Sequence, residues 1–412
     1  MNAEPREPVT LVRLQTLSAE LAQAVATERR RRRRHEEALL TGEGLDRRAA
    51  RLQRSIERVR DLLDQLQPLL RSARRDIAAP GTTPRATVAR RAGRPLRSGS
   101  GAVITSAIDI GSNSVHLLVA VVSGHRLQPL VDSSEFLGLG AAVDEQGEIG
   151  EEILARLVRT LESYTRRAAA LGSPRTLMVG TDPLRRAADA PRTLAAIKAA
   201  TGQEVVVISH QEEAFLTLLG VTAGRPLRRH TILVDIGGGS SEALWVPTSG
   251  DPVAVGLPTG SARLTRRLIA NDPPTPAEIE ALLAEARRLL AEAPEAAPDD
   301  VVVVGGTATN LLRLVPAAAL DRRLTAARVQ GALQLLGRDT AAGVATRYGL
   351  KEPRARMMAA GAALVLAVIE RYGVDRIRVD DNGIREGLAL ASVHAGDDWR
   401  QHLAWMAHGW SR

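Results

Sequence analysis

Residues 235–242 read DIGGGSSE, flanked by the apolar runs TILV (231–234) and EALWV (242–246). The pattern is a strand, a turn and a returning strand, and Gly237, Gly238 and Gly239 leave the turn without side chains. A bare turn exposes backbone N–H groups, and with Ser240 such a nest of donors fits the oxygens of a phosphate. Asp235 at the strand end and Glu242 just past the turn can hold a divalent cation beside that phosphate. The plainer alternative is a glycine-rich hairpin with two surface acids.

A second stretch bears on that choice. Residues 109–114 read DIGSNS, again between an apolar strand (Val103, Ile104, Ala107, Ile108) and another, VHLLVAVV. Both segments fit D-I-G-[SG]-[NG]-S and begin 126 residues apart, as a duplicated phosphate-gripping lobe would. Asp109, Gly111, Ser112, Asn113 and Ser114 then face the second turn, and the two clamp a phosphate chain between domains, where small-molecule sites form.

The 412-residue chain has room for two or three domains. It is 44% hydrophobic but only 2% aromatic, so its cores must come from Ala, Leu and Val. The absence of cysteine excludes disulfides and thiolate metal sites. The start, MNAEPREPV, has no apolar signal region, and the longest uncharged apolar run, Met357 to Ile369, is too short to cross a bilayer. A soluble cytoplasmic protein without membrane partners is the expectation. The formal charge of +8 suggests nucleic acid until it is divided: residues 1–103 carry 22 arginines against 12 acids, which leaves the remainder at about −2. A phosphate cleft with that balance needs metal ions or local arginines to attract its substrate, and nucleic acid is not the expected partner.

In order, Leu14, Leu17, Leu21 and Ala24, then Leu52, Ile56, Val59, Leu63, Leu66 and Leu70, form a seam for helix-on-helix packing, with Pro68 ending the second helix. A homodimer is one arrangement this seam allows. Arg29 to Arg34 lie between, either a solvated helix face or an anion-binding patch. The expected division is a basic helical extension over 1–77 and a flexible linker over 78–102, rich in Pro, Gly, Ser and Arg. From Val103 strands and helices alternate: helix 151–171, strand 176–180, helix 191–201, strand 204–209, helix 276–293, strand 301–304 and helical runs 326–348 and 354–372. Ser209 and Glu212 fit a capping box, which leaves Glu213 as the free carboxylate and a candidate general base. Gly305, Gly306 and Thr307 after a strand are a third, weaker phosphate or nucleoside contact.

These residues resemble the exopolyphosphatase and guanosine pentaphosphate phosphohydrolase family, of the actin-like, sugar-kinase-like superfamily. AIDIGSNSVHLLVA, the LRR after GTDP, ISHQEEA, VDIGGGSSE, LPTGSARLT, GGTATN and DNGIREGLAL stand in that family's order over roughly 103–395. The resemblance implies an α/β fold of two ribonuclease-H-like lobes, 103–212 with the C-terminal helix 388–412, and 213–387. It also implies Mg²⁺-dependent (or Mn²⁺-dependent) removal of a terminal phosphate from inorganic polyphosphate or guanosine pentaphosphate. Glu213 matches the family's catalytic carboxylate, Asp235 and Glu242 with Asp109 its metal or water-positioning acids, and Arg185 a clamp on phosphate oxygens. His210 replaces a small residue, Phe215 and Phe136 each replace an arginine, and Asp182-Pro183 is unusual within its motif. The chain resembles the family's short form. A kinase or ATPase of the same superfamily and a non-catalytic polyphosphate or nucleotide sensor remain as alternatives.

Overall fold

The computed structural model describes residues 102–223, 230–315, 318 and 321–410, together with positions 54 and 57. Those two positions and residue 102 apart, the expected N-terminal seam, arginine run and linker lie outside the described residues. The chain divides into two units, Met1–Arg94 and Pro95–Arg412, and every described strand belongs to the second.

The first sheet is built from β1 (Val103–Ile110), β2 (Ser114–Ser123), β3 (Arg126–Phe136), β4 (Thr176–Gly180) and β5 (Val205–Val207) in the order β3-β2-β1-β4-β5. The first three strands form an antiparallel meander, and β4 and β5 add in parallel. The parallel steps need crossovers, supplied by α1 (Leu139–Gln146) and α2 (Glu151–Ala170) before β4, and by α3 (Asp182–Arg186) and α4 (Ala190–Thr201) before β5. In α2, Leu154, Leu157, Leu161, Tyr164 and Ala168 recur at alternating spacings of three and four and are buried. No sequence expectation covered β3, none of whose residues is buried and which Pro129 interrupts. As the edge strand it tolerates a proline, and the register shifts beside it at Val119/Ala120.

The second sheet repeats the plan. Its strands β6 (Thr231–Ile236), β7 (Ser241–Val246), β8 (Val253–Leu257), β9 (Asp300–Val304), β10 (Arg323–Thr325) and β11 (Arg376–Val379) run β10-β11-β9-β6-β7-β8. Thus β6, β7, β8, β9 and β11 stand where β1, β2, β3, β4 and β5 stand in the first sheet. This is the pair of ribonuclease-H-like lobes of an α/β chain. The helices of this lobe are α6 (Ser261–Leu268), α7 (Pro276–Leu290), α8 (Gly306–Leu314), α9 (Ala326–Leu336), α10 (Ala341–Tyr348), α11 (Glu352–Arg356) and α12 (Met358–Tyr372). The run expected at 326–348 is therefore two helices, because Thr340 accepts from the Gly343 N–H and caps a new start. The run expected at 354–372 begins at Glu352 and is interrupted at Met357.

Three further helices complete the unit: α5 (His210–Val221) between the lobes in sequence, and α13 (Ile384–Ala395) and α14 (Trp399–Trp410) at its end, so the single C-terminal helix expected over 388–412 is two helices that begin at Ile384 and are parted at Gly396–Asp398. α13 lies against α5 and against β1 and β2, and α14 lies against α5. Side chains from these helices, such as Leu216, Leu388, Trp399 and Met406, share one core with Ala107 and Leu118 of the first sheet and Leu233 and Val302 of the second. The crossing of α5 and α13 depends on glycine: a Cβ on Gly387 would meet the Leu216 carbonyl, and one on Gly220 would meet that of Gly383. This shared layer fixes how the two hairpin turns approach each other.

Candidate active site

Both turns fold alike. Gly111 N–H donates to the Ser114 carbonyl at 3.1 Å, and Gly237 N–H donates to that of Ser240 at 3.1 Å. Strand pairing then places Asp109 opposite His116 in the first hairpin and Asp235 opposite Glu242 in the second. The glycines of the second turn have a purpose beyond exposing N–H groups. A Cβ on Gly238 would collide with the Asn113 amide, and one on Gly239 with Ser112 Oγ and the Asp182 carboxylate. The turns therefore face each other at contact distance. The second turn is also held from behind, since Ser261 and Ala262 at the start of α6 donate their N–H groups to the Gly237 and Gly238 carbonyls at 3.0 Å each.

Four carboxylates converge beside these turns. Ser209 caps α5 and forms the expected capping box with Glu212, so Glu213 points inward, 6% exposed. Glu242 is 2% exposed. Burial pushes Asp109 up to about 7, with the charges of Asp235 and Glu386 adding to it against the opposing pull of Arg385, and burial pushes Asp235 up to about 6. Burial also raises Glu213 and Glu242 well above the ordinary carboxylate range, helped for Glu213 by the Glu242 charge and for Glu242 by the Asp235 charge. Asp235 Oδ2 accepts from Thr217 Oγ1 at 3.2 Å, whereas the buried Oδ1 of Asp109 has no hydrogen-bond partner. Gly305, with φ of 93°, leaves room for this cluster, because a Cβ there would stand 2.7 Å from Asp235 Oδ1. Of the three acids expected to hold a metal, only Glu242 falls in the group whose ligand atoms lie within 4.8 Å of one another among the described residues, with His210 and Glu213; Asp109 and Asp235 are not brought into that group.

Arg185 supplies the nearest positive charge. Its Nη1 donates to Glu213 Oε2 and to the Ile208 carbonyl, both at 2.8 Å, and its Nη2 stands 3.2 Å from His210 Nδ1 and 3.5 Å from Ser240 Oγ. A separate ionic lattice ties the lobes together. Asp182 receives Arg186 from its own helix and Arg263 from α6, and Asp144 of α1 pairs with Arg186, Arg263 and Arg266. Burial raises the Asp182 carboxyl, but Arg186 and Arg263 outweigh it and hold the group below its ordinary value.

The turns line an open cleft of about 750 Å³ that also contains Asp109, Glu213, Asp235, Gly306 and Thr307. Glu242, Arg185 and His210 do not line it; Arg185 reaches the lining through Glu213, and His210 stands next to both Arg185 and Glu242. No role was expected for His210, His116 or Arg354, of which the last two line the cleft. His210, noted only as an unusual residue, stands 2.7 Å from Glu242 Oε1; its signal was the spacing of three to Glu213, which puts both on one helix face. His116 is held neutral, its pKa pushed down to about 3 by burial and by Arg385 and Arg354. Arg354 reaches across to Ser114 Oγ at 2.9 Å, and nothing in its local sequence marks that. Phe215 is buried in the core shared by the two sheets and takes no part in the cleft lining.

Residues 117–395 match the model of the Ppx/GppA phosphatase family. The chain is 30% identical over 313 residues to Exopolyphosphatase 1 of Mycobacterium tuberculosis, covering 71% of this chain and 88% of that protein. It is 31% identical to Exopolyphosphatase 1 of Mycobacterium leprae over 312 residues, with 71% and 90% covered. The Ppx/GppA family member of Aquifex aeolicus superposes with a TM-score of 0.62 at 26% identity, covering 72% of this chain and 99% of that one. An exopolyphosphatase from Cytophaga hutchinsonii shares the fold, with a TM-score of 0.64 at 22% identity over 71% and 98% of the chains.

Proposed function

The chain belongs to the Ppx/GppA phosphatase family, and we propose that it is an exopolyphosphatase that hydrolyses the terminal phosphate of inorganic polyphosphate with Mg²⁺ (or Mn²⁺). As a family member it is a hydrolase of phosphoric anhydrides. The observation that carries the finer reading is the contact of two matching turns beside the buried Glu213 carboxylate. In this reading the first lobe is 103–212 with the segment 388–412 and the second is 213–387, bounds that fall within α5 and α13. The exposed N–H groups of both turns, with Ser112 and Ser240, hold the phosphate oxygens, and Gly306 and Thr307 hold the chain further along.

Glu213 is the general base. Lining the cleft and held at 2.8 Å by Arg185, it is placed to take a proton from water while the water oxygen attacks the terminal phosphorus. The anhydride P–O bond breaks, orthophosphate forms, and the negative charge leaves with the shortened chain. Arg185, released from Glu213, turns to the equatorial oxygens. Asp235, Glu242 and Asp109 would hold the divalent cation, which when bound neutralises phosphate charge. The identity of the relatives named exopolyphosphatase supports polyphosphate over guanosine pentaphosphate as substrate.

The test is phosphate release from long polyphosphate, guanosine pentaphosphate and ATP, with Mg²⁺ and with a chelator, for the wild type, Glu213→Gln and Glu212→Gln. Glu213→Gln is expected to lose ~10²–10⁴ in rate while still binding polyphosphate. Glu212→Gln, which keeps a side chain able to close the capping box, stays within about twofold of wild type. Preference for guanosine pentaphosphate would replace the substrate, and a Glu213→Gln enzyme above a tenth of wild-type turnover would remove Glu213 from the role.

A further inference from the structure

We propose that His210 is a nitrogen ligand to the catalytic cation, making the metal centre of this chain a mixed imidazole–carboxylate site selective for Mn²⁺ and later first-row ions over Mg²⁺. The inference rests on the metal-dependent reading above and extends it to a residue outside the carboxylate set.

Three observations support it. First, one ligand atom each from His210, Glu213 and Glu242 lie within 4.8 Å of one another, so a cation held by His210 and Glu242 would stand beside the Glu213 base. His210 and Glu213 reach this position because they are three residues apart at the start of α5, on one face, and Glu242 comes from the facing strand β7. Second, the imidazole has a built seat. Gly256 of β8 is the strand partner of Glu242, and a Cβ there would stand 2.8 Å from His210 Nδ1. The backbone at Gly256 has no positive φ, so the glycine answers to the close approach of residue 210, whose Cβ and ring both stand under 3 Å from an added carbon, and not to the strand. Third, His210 Nδ1 stands 2.7 Å from Oε1 of Glu242, whose carboxylate is buried beside it, so an imidazole nitrogen and a carboxylate oxygen already share one position.

Imidazole nitrogen favours Mn²⁺, Co²⁺ and Zn²⁺ over Mg²⁺, which prefers oxygen donors and retained water. Arg185 is the competing cation: its guanidinium touches Glu213 and faces His210 Nδ1, and metal binding moves it toward Ser240, already 3.5 Å from Nη2.

The full-length protein is loaded with Mn²⁺ alone and examined by electron spin-echo modulation, with Mn²⁺ and Mg²⁺ affinities measured in parallel by titration. Wild type shows ¹⁴N modulation from one imidazole. His210→Ala loses it and binds Mn²⁺ roughly tenfold or more weakly, while Mg²⁺ affinity changes by less than about threefold. Gly256→Ala, which keeps the histidine and every carboxylate, displaces the ring and gives the same spectrum as His210→Ala. A nitrogen-free Mn²⁺ spectrum in wild type, or modulation that persists in His210→Ala and so belongs to His116 or another residue, overturns the proposal. Asp235→Asn separates the two levels. If it weakens Mn²⁺ binding while His210→Ala does not, the carboxylate site stands and only the histidine is wrong; if neither variant alters binding, the metal reading itself fails and this proposal with it.

Discussion

Asp109→Asn separates the electrostatic cost of the cleft from its packing. The Asp109 residue is partly buried at the cleft wall, its Oδ1 atom is buried and unpartnered, and desolvation raises its pKa from 3.8 to about 7. A group whose folded pKa lies above its unfolded value contributes stability that is fully present below the unfolded pKa and lost as pH rises through the folded one. The window is therefore pH 4 to 7, and the charge destabilises the fold above it. Three pH decades at about 1.4 kcal/mol each give roughly 4 kcal/mol as the upper figure for this one group. The asparagine is close in shape and does not titrate. Urea unfolding of full-length protein in chelator should thus find the variant equal to wild type near pH 4 and more stable at pH 8, by up to roughly 4 kcal/mol. Saturating Mg²⁺ should recover part of the wild-type deficit by mass action, about 2.7 kcal/mol at a hundred times the dissociation constant, and less in the variant. Parallel pH–stability curves for the two proteins would refute the argument, because the Asp109 charge would then be as well solvated folded as unfolded.

Gly239→Ala should drive the turns apart, since its Cβ meets Ser112 Oγ and Asp182, and cost at least tenfold in kcat/KM; Gly331→Ala, in α9 with nothing near its added carbon, should leave activity unchanged and stabilise by about 0.5–1 kcal/mol in urea unfolding. Changing Arg29 to Arg34 to serine in the full chain should leave turnover on short polyphosphates unchanged and raise KM on long ones, more so at low salt, where charge attraction reaches furthest; identical long-chain kinetics at low salt would make the run a solvated face.

The sequence alone determined the elements and their duplication. The apolar runs at 176–180 and 231–234, the three-four spacing of α2 and the capping box at Ser209 are local signals, because strand burial, helix faces and caps depend on neighbours a few residues away. The repeated D-I-G-x-x-S turns announced the two lobes for the same reason: a tight turn is written in its own residues. Local reading was weaker where context overrides propensity, as at the edge strand β3 with Pro129, and where a cap at Thr340 divides one helical pattern into two.

Tertiary structure decided which distant residues meet. Gly238 faces Asn113 and Gly239 faces Asp182 only because α5 and α13 cross at Gly220 and Gly387 and set one lobe against the other. The raised proton affinities of Asp109, Glu213, Asp235 and Glu242 are likewise properties of the assembled cleft, since desolvation and mutual repulsion exist only once four strand and helix ends converge. His210 shows the division most plainly. Its spacing to Glu213 was visible in the chain, but its contact with Glu242, 32 residues on, required β7 and its glycine-bearing neighbour β8 to pass beneath the start of α5.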